Sequence, residues 1–460
     1  MTTTPDFIES GEHARLIPVV ADTNREQRTA SIVLAALRGV YEFRQTMLGS
    51  LGVRVGKRAE LSAWTEVTFK HDPHSKNGKA PNKHERPDGL LVLDTGRKRW
   101  TALVEAKVGN AEIGESQLTD YIKQAKANNV DAVITITNQF VALPSHHPVK
   151  LPKNVTRGVE LFHWSWMYVL TQATLLLEDD AIASEDQRFI LEEVVRHLSH
   201  DSSGISRFDS MNREWKDVVG RVKSGATLAR TSEEVENTVS SWHQEQRDLC
   251  LIMSRRLYRP VKLKLSRQHR TDAPGRLHDD CEELAKNRTL SCILEIPHAA
   301  ADLHVTADLT TRTIVSSMRL TAPKDKKSTK ARANWLGRQL SKARPEDIYI
   351  KAIRPGRAED TQAPLSEVLN DARVLESSGT NVAPVAFEVF HMLDLAGKFS
   401  GSKVFIERLE DAVPYFYEQV GQRLRAWVEP PPKIRQRDPV EDAERSANEG
   451  TVESNEIRAK

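Results

Sequence analysis

The sequence predicts an α/β domain built on a mixed sheet flanked by helices, followed by a separate α+β domain. Three observations lead there. Residues 100–137 run as an apolar strand, an amphipathic helix and a second apolar strand, the order that gives a right-handed crossover within one sheet. The chain has 460 residues, more than one hydrophobic core normally serves. The polar break Asp201-Ser202-Ser203-Gly204 separates the two halves.

Each element follows from its pattern. Over 24–50, Ile32, Val33, Leu34, Leu37, Val40, Tyr41, Met47 and Leu48 recur at helical spacing, with Gly49 and Gly52 at the stop. Trp64–Phe69 is a short strand, and 71–87 is a loop rich in Lys, Arg, His, Pro and Gly. Pro87-Asp88-Gly89 opens a strand over Leu90–Leu93, and a turn at Asp94-Thr95-Gly96 leads to a third over Trp100–Lys107. Residues 115–128 read as a helix. The β-branched run Asp131–Thr137 reads as a buried strand, and Val159–Trp164 as one more. Helices are expected over Ser165–Leu177 and Glu185–Leu198. The first 200 residues thus spell αβββαβ(β)αα, with both sheet faces covered.

The second half, 205–429, carries a helix over 231–257 and strands over Leu290–Ile296, Asp302–Ala307, Thr313–Leu320 and Ile348–Ile353. A basic helix is expected over 328–343, with further helices over Leu365–Leu375 and Tyr415–Val428. Residues 430–460 begin with three prolines and are mostly charged or small, a composition that buries little surface and predicts disorder.

Composition narrows the classes. The apolar fraction of 39% sustains packed cores, and a net charge of +2 gives no global field for a polyanion, so any such site must be local. Cys250, Cys281 and Cys292 form no C-x-x-C pair, which argues against a disulfide framework or cysteine-based zinc site and for a reducing, cytoplasmic setting. No signal peptide or membrane-length apolar run is read.

The chemistry is expected at Glu105-Ala106-Lys107. Alternation puts Glu105 and Lys107 on one strand face and Ala106 on the other. Charged groups at the end of the apolar run Ala102-Leu103-Val104 cost several kcal/mol unless they are paired or metal-bound. If the two strands form a hairpin through 94–99, Asp88 falls beside them. Two carboxylates suit Mg²⁺ (or Mn²⁺), with the Ala106 carbonyl as a further ligand and Lys107 to orient or deprotonate a water and offset transition-state charge. The competing explanation is a cross-strand ion pair at a sheet edge.

Pro87-Asp88 followed by Glu105-Ala106-Lys107 resembles the PD-(D/E)XK, or restriction-endonuclease-like, nuclease superfamily over about residues 24–175. The resemblance implies Asp88 and Glu105 as metal ligands, Lys107 as the catalytic lysine, Gln117 at the border of the site, and a further acid on the first helix or nearby strand, for which Glu42 and Glu66 are the candidates. It implies a DNA substrate, a homodimer if both strands are cut, and a setting in genome defence or repair. A catalytically silent nucleic-acid-binding or regulatory protein on the same fold is the alternative, and an interaction protein whose business lies in the second half is another.

Two basic features remain. His71, His74, Lys76, Lys79, Lys83, His84 and Arg86 crowd the loop before Asp88, as a phosphate-contacting arm or a solvated loop. Lys324, Lys326, Lys327, Lys330, Arg332, Arg338, Lys342 and Arg344, with Trp335 among them, make the strongest local positive patch; a solvated helix face is the favoured reading. Core packing is expected for Trp164 and Trp166.

Overall fold

The computed structural model describes residues 5–18, 24–71, 86–379, 382–429 and 431. Most of the basic loop before Asp88, including His74, Lys76, Lys79, Lys83 and His84, and almost all of the 430–460 tail lie outside them.

The first sheet begins with an edge strand that the sequence reading did not anticipate, β1 (Ile8–His13), followed by α1 (Arg25–Gly39) and α2 (Tyr41–Gly49). The single helix expected over 24–50 is broken because Val40 adopts an extended backbone, φ −110° and ψ 112°, closing α1 and opening α2. Next come β2 (Glu60–Phe69), β3 (Gly89–Asp94), β4 (Arg99–Ala106), α3 (Glu115–Ala127), β5 (Ala132–Thr137), the short α4 (Lys153–Thr156), β6 (Glu160–Ser165), α5 (Trp166–Glu178) and α6 (Glu185–Ser199). The strands lie in sequence order, β1 to β6. Pairing is antiparallel from β1 to β4 and parallel across β4, β5 and β6.

Alternation along the strands feeds two cores. Leu91, Leu93, Ala102, Val104 and Ala106 face a layer that includes residues of α1, α2, α5 and α6, whereas Leu90, Val92, Leu103 and Val133 face α3. Both faces are therefore covered, as expected of a sheet with parallel strands. Gly89 is required where it stands. A Cβ there would sit 2.4 Å from Leu34 Cδ1 on α1 and 3.2 Å from the Trp64 carbonyl oxygen, so the missing side chain lets α1 close over the start of β3.

The second half contains α7 (Trp215–Lys223), α8 (Glu233–Leu257), β7 (Lys262–Leu263), α9 (Ala273–Asn287), β8 (Thr289–Glu295), β9 (Leu303–Asp308), β10 (Thr313–Thr321), α10 (Thr329–Leu340), β11 (Ile348–Ile353), β12 (Thr361–Pro364), α11 (Leu365–Asn370), β13 (Ala386–Asp394) and α12 (Ser402–Gln419). Seven antiparallel strands take the order β12-β11-β13-β10-β9-β8-β7. Helix α12 corrects the expectation of a helix over 415–428: it spans Pro414, which ordinarily argues for a break. The expected basic helix is α10. Its Trp335 packs against the core, and Arg332 donates to the Lys326 and Pro384 carbonyls. The three cysteines are buried and free.

Helix α8 joins the two halves. Leu251 enters the first core, the Arg247 guanidinium lies 5.1 Å from the centre of the Tyr168 ring, and Arg255 donates to Thr171 Oγ1 at 2.6 Å. Among the described residues no helix is long and apolar enough to cross a membrane.

Candidate active site

Antiparallel pairing of β3 with β4 sets Gly89 opposite Val104, which brings Asp88, one residue earlier, to the end of β4. The Asp88 carboxylate accepts the Ala106 backbone N–H at 2.8 Å. Glu105 and Lys107 lie on the face that α3 covers. Lys107 Nζ donates to Glu105 Oε1 at 2.8 Å, and Gln117 Nε2 from α3 donates to the same oxygen at 2.9 Å. Gln117 also donates to the Tyr121 hydroxyl one turn on, at 3.1 Å. The Lys107 backbone is fixed from two sides: its N–H donates to the Ile136 carbonyl at 2.9 Å, and its carbonyl accepts Trp166 Nε1–H at 2.7 Å. Trp164 and Trp166 are core residues, and Trp166 thereby also buttresses the site.

Helix α1 aims its N-terminus at this cluster. Asn24 caps it by accepting the Gln27 N–H, and Glu26 sits in the first turn, where the helix dipole favours a carboxylate. Glu26 Oε2 lies 3.4 Å from Lys107 Nζ. The acid that the first helix brings to Lys107 is Glu26, which the sequence reading passed over. Glu42, the candidate proposed there, falls on α2, and its electrostatic partner is Arg44. The signal for Glu26 was its place two residues after a capping asparagine, a local rule independent of apolar spacing.

Glu66 reaches the same neighbourhood through a distortion. Between the pairs Ser10–Thr68 and Glu12–Thr65, β2 spends one residue more than β1, and Glu66 sits in that bulge with φ 54°. Left-handed backbone at a residue other than Gly is uncommon, and a bulge re-aims the side chain it carries. Here Glu66 accepts a hydrogen bond from Gln27 of α1, the residue after Glu26.

The electrostatics are those of two carboxylates competing for too little positive charge. Glu105 is 3% exposed. Burial raises its pKa against the opposing pull of Lys107. Burial and the neighbouring Glu105 charge push Asp88 up to about 8. Burial alone would lower the Lys107 pKa, but Glu105, Asp88 and Glu26 outweigh it and hold the lysine above its ordinary value, as an ammonium. Burial likewise raises the Tyr121 phenol, with the Glu105 charge adding to it.

The Glu105 carboxylate is also held by hydrogen bonds from the Tyr121 hydroxyl and the Asp88 backbone N–H, which favour its charged form. Two neighbouring buried carboxyls with raised pKa are oxygen donors of the kind a hard divalent cation takes. Among the described residues no cluster of three or more His, Cys, Asp or Glu side chains could hold a metal. A cation here would therefore take two carboxylates and complete its shell with backbone oxygen or water, as Mg²⁺ commonly does. The residues fit such an ion.

The next strand contributes support only. Thr135, opposite Glu105 on β5, bridges His147 Nε2 at 2.8 Å and His163 Nδ1 at 2.7 Å. Burial lowers these histidines to about 3 and about 4, so both are neutral at physiological pH.

Comparison of the chain with protein-family models, curated proteins and solved structures finds no match in any of the three.

Proposed function

We propose that this protein is a metal-dependent nuclease that hydrolyses phosphodiester bonds, with DNA as the substrate and a restriction-endonuclease-like fold for its first sheet. The observation that carries the reading is the convergence of Asp88, Glu105 and Lys107 at the end of β4. A simple ion pair between two residues on one face at the end of β4 accounts for Lys107 and Glu105. It does not account for a second carboxylate raised to about 8 beside them, nor for the polar groups of α1 and α3 gathered on the same spot.

Asp88 and Glu105, with the Ala106 carbonyl, would hold Mg²⁺ or Mn²⁺. When bound, the ion supplies Lewis-acid polarisation of the phosphate and a more acidic water. The chain's own residues do the positioning. Lys107 carries positive charge to the edge of the carboxylate pair and offsets the negative charge that grows on the phosphate. As an ammonium it orients the attacking water and is unsuited to act as its base. Gln117 fixes the Glu105 carboxylate. Glu26 holds Lys107 from the far side, and the Glu66–Gln27 contact holds the start of α1 against β2.

The direct test is incubation of supercoiled DNA with the full chain in Mg²⁺, Mn²⁺ or EDTA. Nicking that needs the metal and is lost in Asp88→Asn supports the reading. Absence of DNA or RNA cleavage under any metal favours a catalytically silent binding protein.

A further inference from the structure

The seven-stranded sheet keeps its helices on one side. Leu290, Val305, Met318, Val389 and Ile350 point into the helical core. The residues between them point the other way and are exposed or half-buried, apart from the buried Thr313, Ser317 and Ala386. An antiparallel sheet with one wet face is ordinary, and such a face is normally polar. This one carries a transverse row in which large side chains flank a small, buried serine. Tyr349 pairs with Phe390, Phe390 with Ser317, Ser317 with His304, and His304 with Ile293. The Tyr349 and Phe390 rings are stacked, with centroids 5.5 Å apart and planes 19° apart. Beside this row, Met392 is 46% exposed.

The charge around the row is graded. In the neighbouring register Lys351, Glu388 and Arg319 lie side by side, and Lys351 also contacts Asp360 at 3.4 Å, so the middle of the face is nearly neutral. At the far end of β10 the balance turns positive. Arg319 and His304 line a hollow of about 480 Å³, whose Asp302 is ion-paired with Lys264. The chain leaving that strand carries exposed Lys324, Lys327 and Lys330. A half-buried aromatic platform running into a basic exit is the arrangement that takes unpaired bases on ring faces and phosphates on cations.

We propose that this open face binds single-stranded nucleic acid, with bases stacking on Tyr349 and Phe390 and the backbone leaving over Arg319 and the lysines that follow it. The proposal rests on the nuclease reading for its choice of nucleic acid over another macromolecule. It gives the second half of the chain the task of presenting an unpaired strand.

The test is fluorescence anisotropy of a labelled 20-nucleotide single strand and of the matched duplex, with the full-length protein in EDTA so that no cleavage occurs. The single strand is expected to bind more tightly than the duplex. Phe390→Ala and Tyr349→Ala should each weaken it about 5- to 100-fold, with an unchanged circular dichroism spectrum. Phe390→Leu, which keeps apolar bulk without a ring, should weaken it as well, whereas Phe390→Trp should restore it. Replacing Lys324, Lys327 and Lys330 with Glu should flatten the salt dependence of binding. Duplex preference, or affinity unchanged in Phe390→Ala and Phe390→Leu, would overturn the proposal. So would a dimer in sedimentation that Met392→Glu dissociates, because a second copy would then own the face. Metal-dependent nicking that survives while single-strand binding fails sinks this proposal alone. Binding that survives without nicking sinks the nuclease reading alone.

Discussion

Replacing Lys107 with Met removes the one ammonium from between Glu105 and Asp88 and keeps the apolar stem. Breaking a buried ion pair from one side costs about 3–5 kcal/mol. The low end applies here, because the lysine side chain is 16% exposed and Gln117 still donates to Glu105. About 3 kcal/mol corresponds to a fall in melting midpoint of roughly 6–12 °C for a unit of some 200 residues. The loss should depend on pH. Both carboxyls have folded pKa values above the unfolded value of about 4. Their contribution is thus fully present in acid and is lost as pH rises through the folded values, Asp88 reaching about 8 even with the lysine in place. The variant should therefore be close to wild type near pH 5 and clearly weaker at pH 8. Mg²⁺ should reverse the loss at pH 8, by about 2.7 kcal/mol when it stands a hundredfold above its dissociation constant. Thermal melts at the two pH values, with and without Mg²⁺, read all of this. A destabilisation equal at pH 5 and pH 8, or one that Mg²⁺ leaves untouched, would refute the account of two carboxylates sharing one cation.

Three other outcomes follow from single contacts. Glu66→Val should cost about 1–2 kcal/mol in denaturant unfolding, because a β-branched residue is forced into left-handed backbone, while Glu66→Gly should stay within about 1 kcal/mol of wild type; equal losses in both would show that the bulge conformation is not what matters. Glu26→Gln removes one of the three carboxylates that raise Lys107, so the alkaline limb of the cleavage pH profile should move to lower pH, and an unmoved limb would detach Glu26 from the site. Glu245 on α8 is fully buried, both its oxygens lack partners, and burial holds its pKa far above normal. Its penalty accrues as pH rises above the unfolded value, so Glu245→Gln should gain at least about 1 kcal/mol at pH 8 and nothing near pH 4; a gain equal at both would contradict a charge origin.

The strands that carry the site were legible because their apolar runs are bounded by turn residues. Pro87-Asp88-Gly89 and Asp94-Thr95-Gly96 frame β3, and Gly109 follows β4 closely. Alternation then forced Glu105 and Lys107 onto one face, and the register of β3 with β4 brings Asp88 to them. What escaped notice lacks those signals. Strand β1, Ile-Glu-Ser-Gly-Glu-His, is a polar edge whose pairing is supplied by β2. Strand β13 alternates, but Phe390 and Met392 lie on its open side and blur the pattern. Helix α12 contains a proline. Glu26 escaped because only tertiary packing carries the first turn of α1 to Lys107, 81 residues away. Tyr121 was legible as a buried position on α3; its hydroxyl beside Glu105 was not.

The central claim is that Asp88, Glu105 and Lys107 form a metal-dependent phosphodiesterase centre. It is tested most directly by comparing wild type with Lys107→Ala on linear and circular DNA in Mg²⁺, Mn²⁺ and EDTA. The account predicts cleavage by wild type that EDTA abolishes, and a loss in Lys107→Ala of at least about a hundredfold, the range removed with one electrostatic stabiliser of a transition state. Equal cleavage by the two proteins, or cleavage by wild type that persists in EDTA, would contradict it.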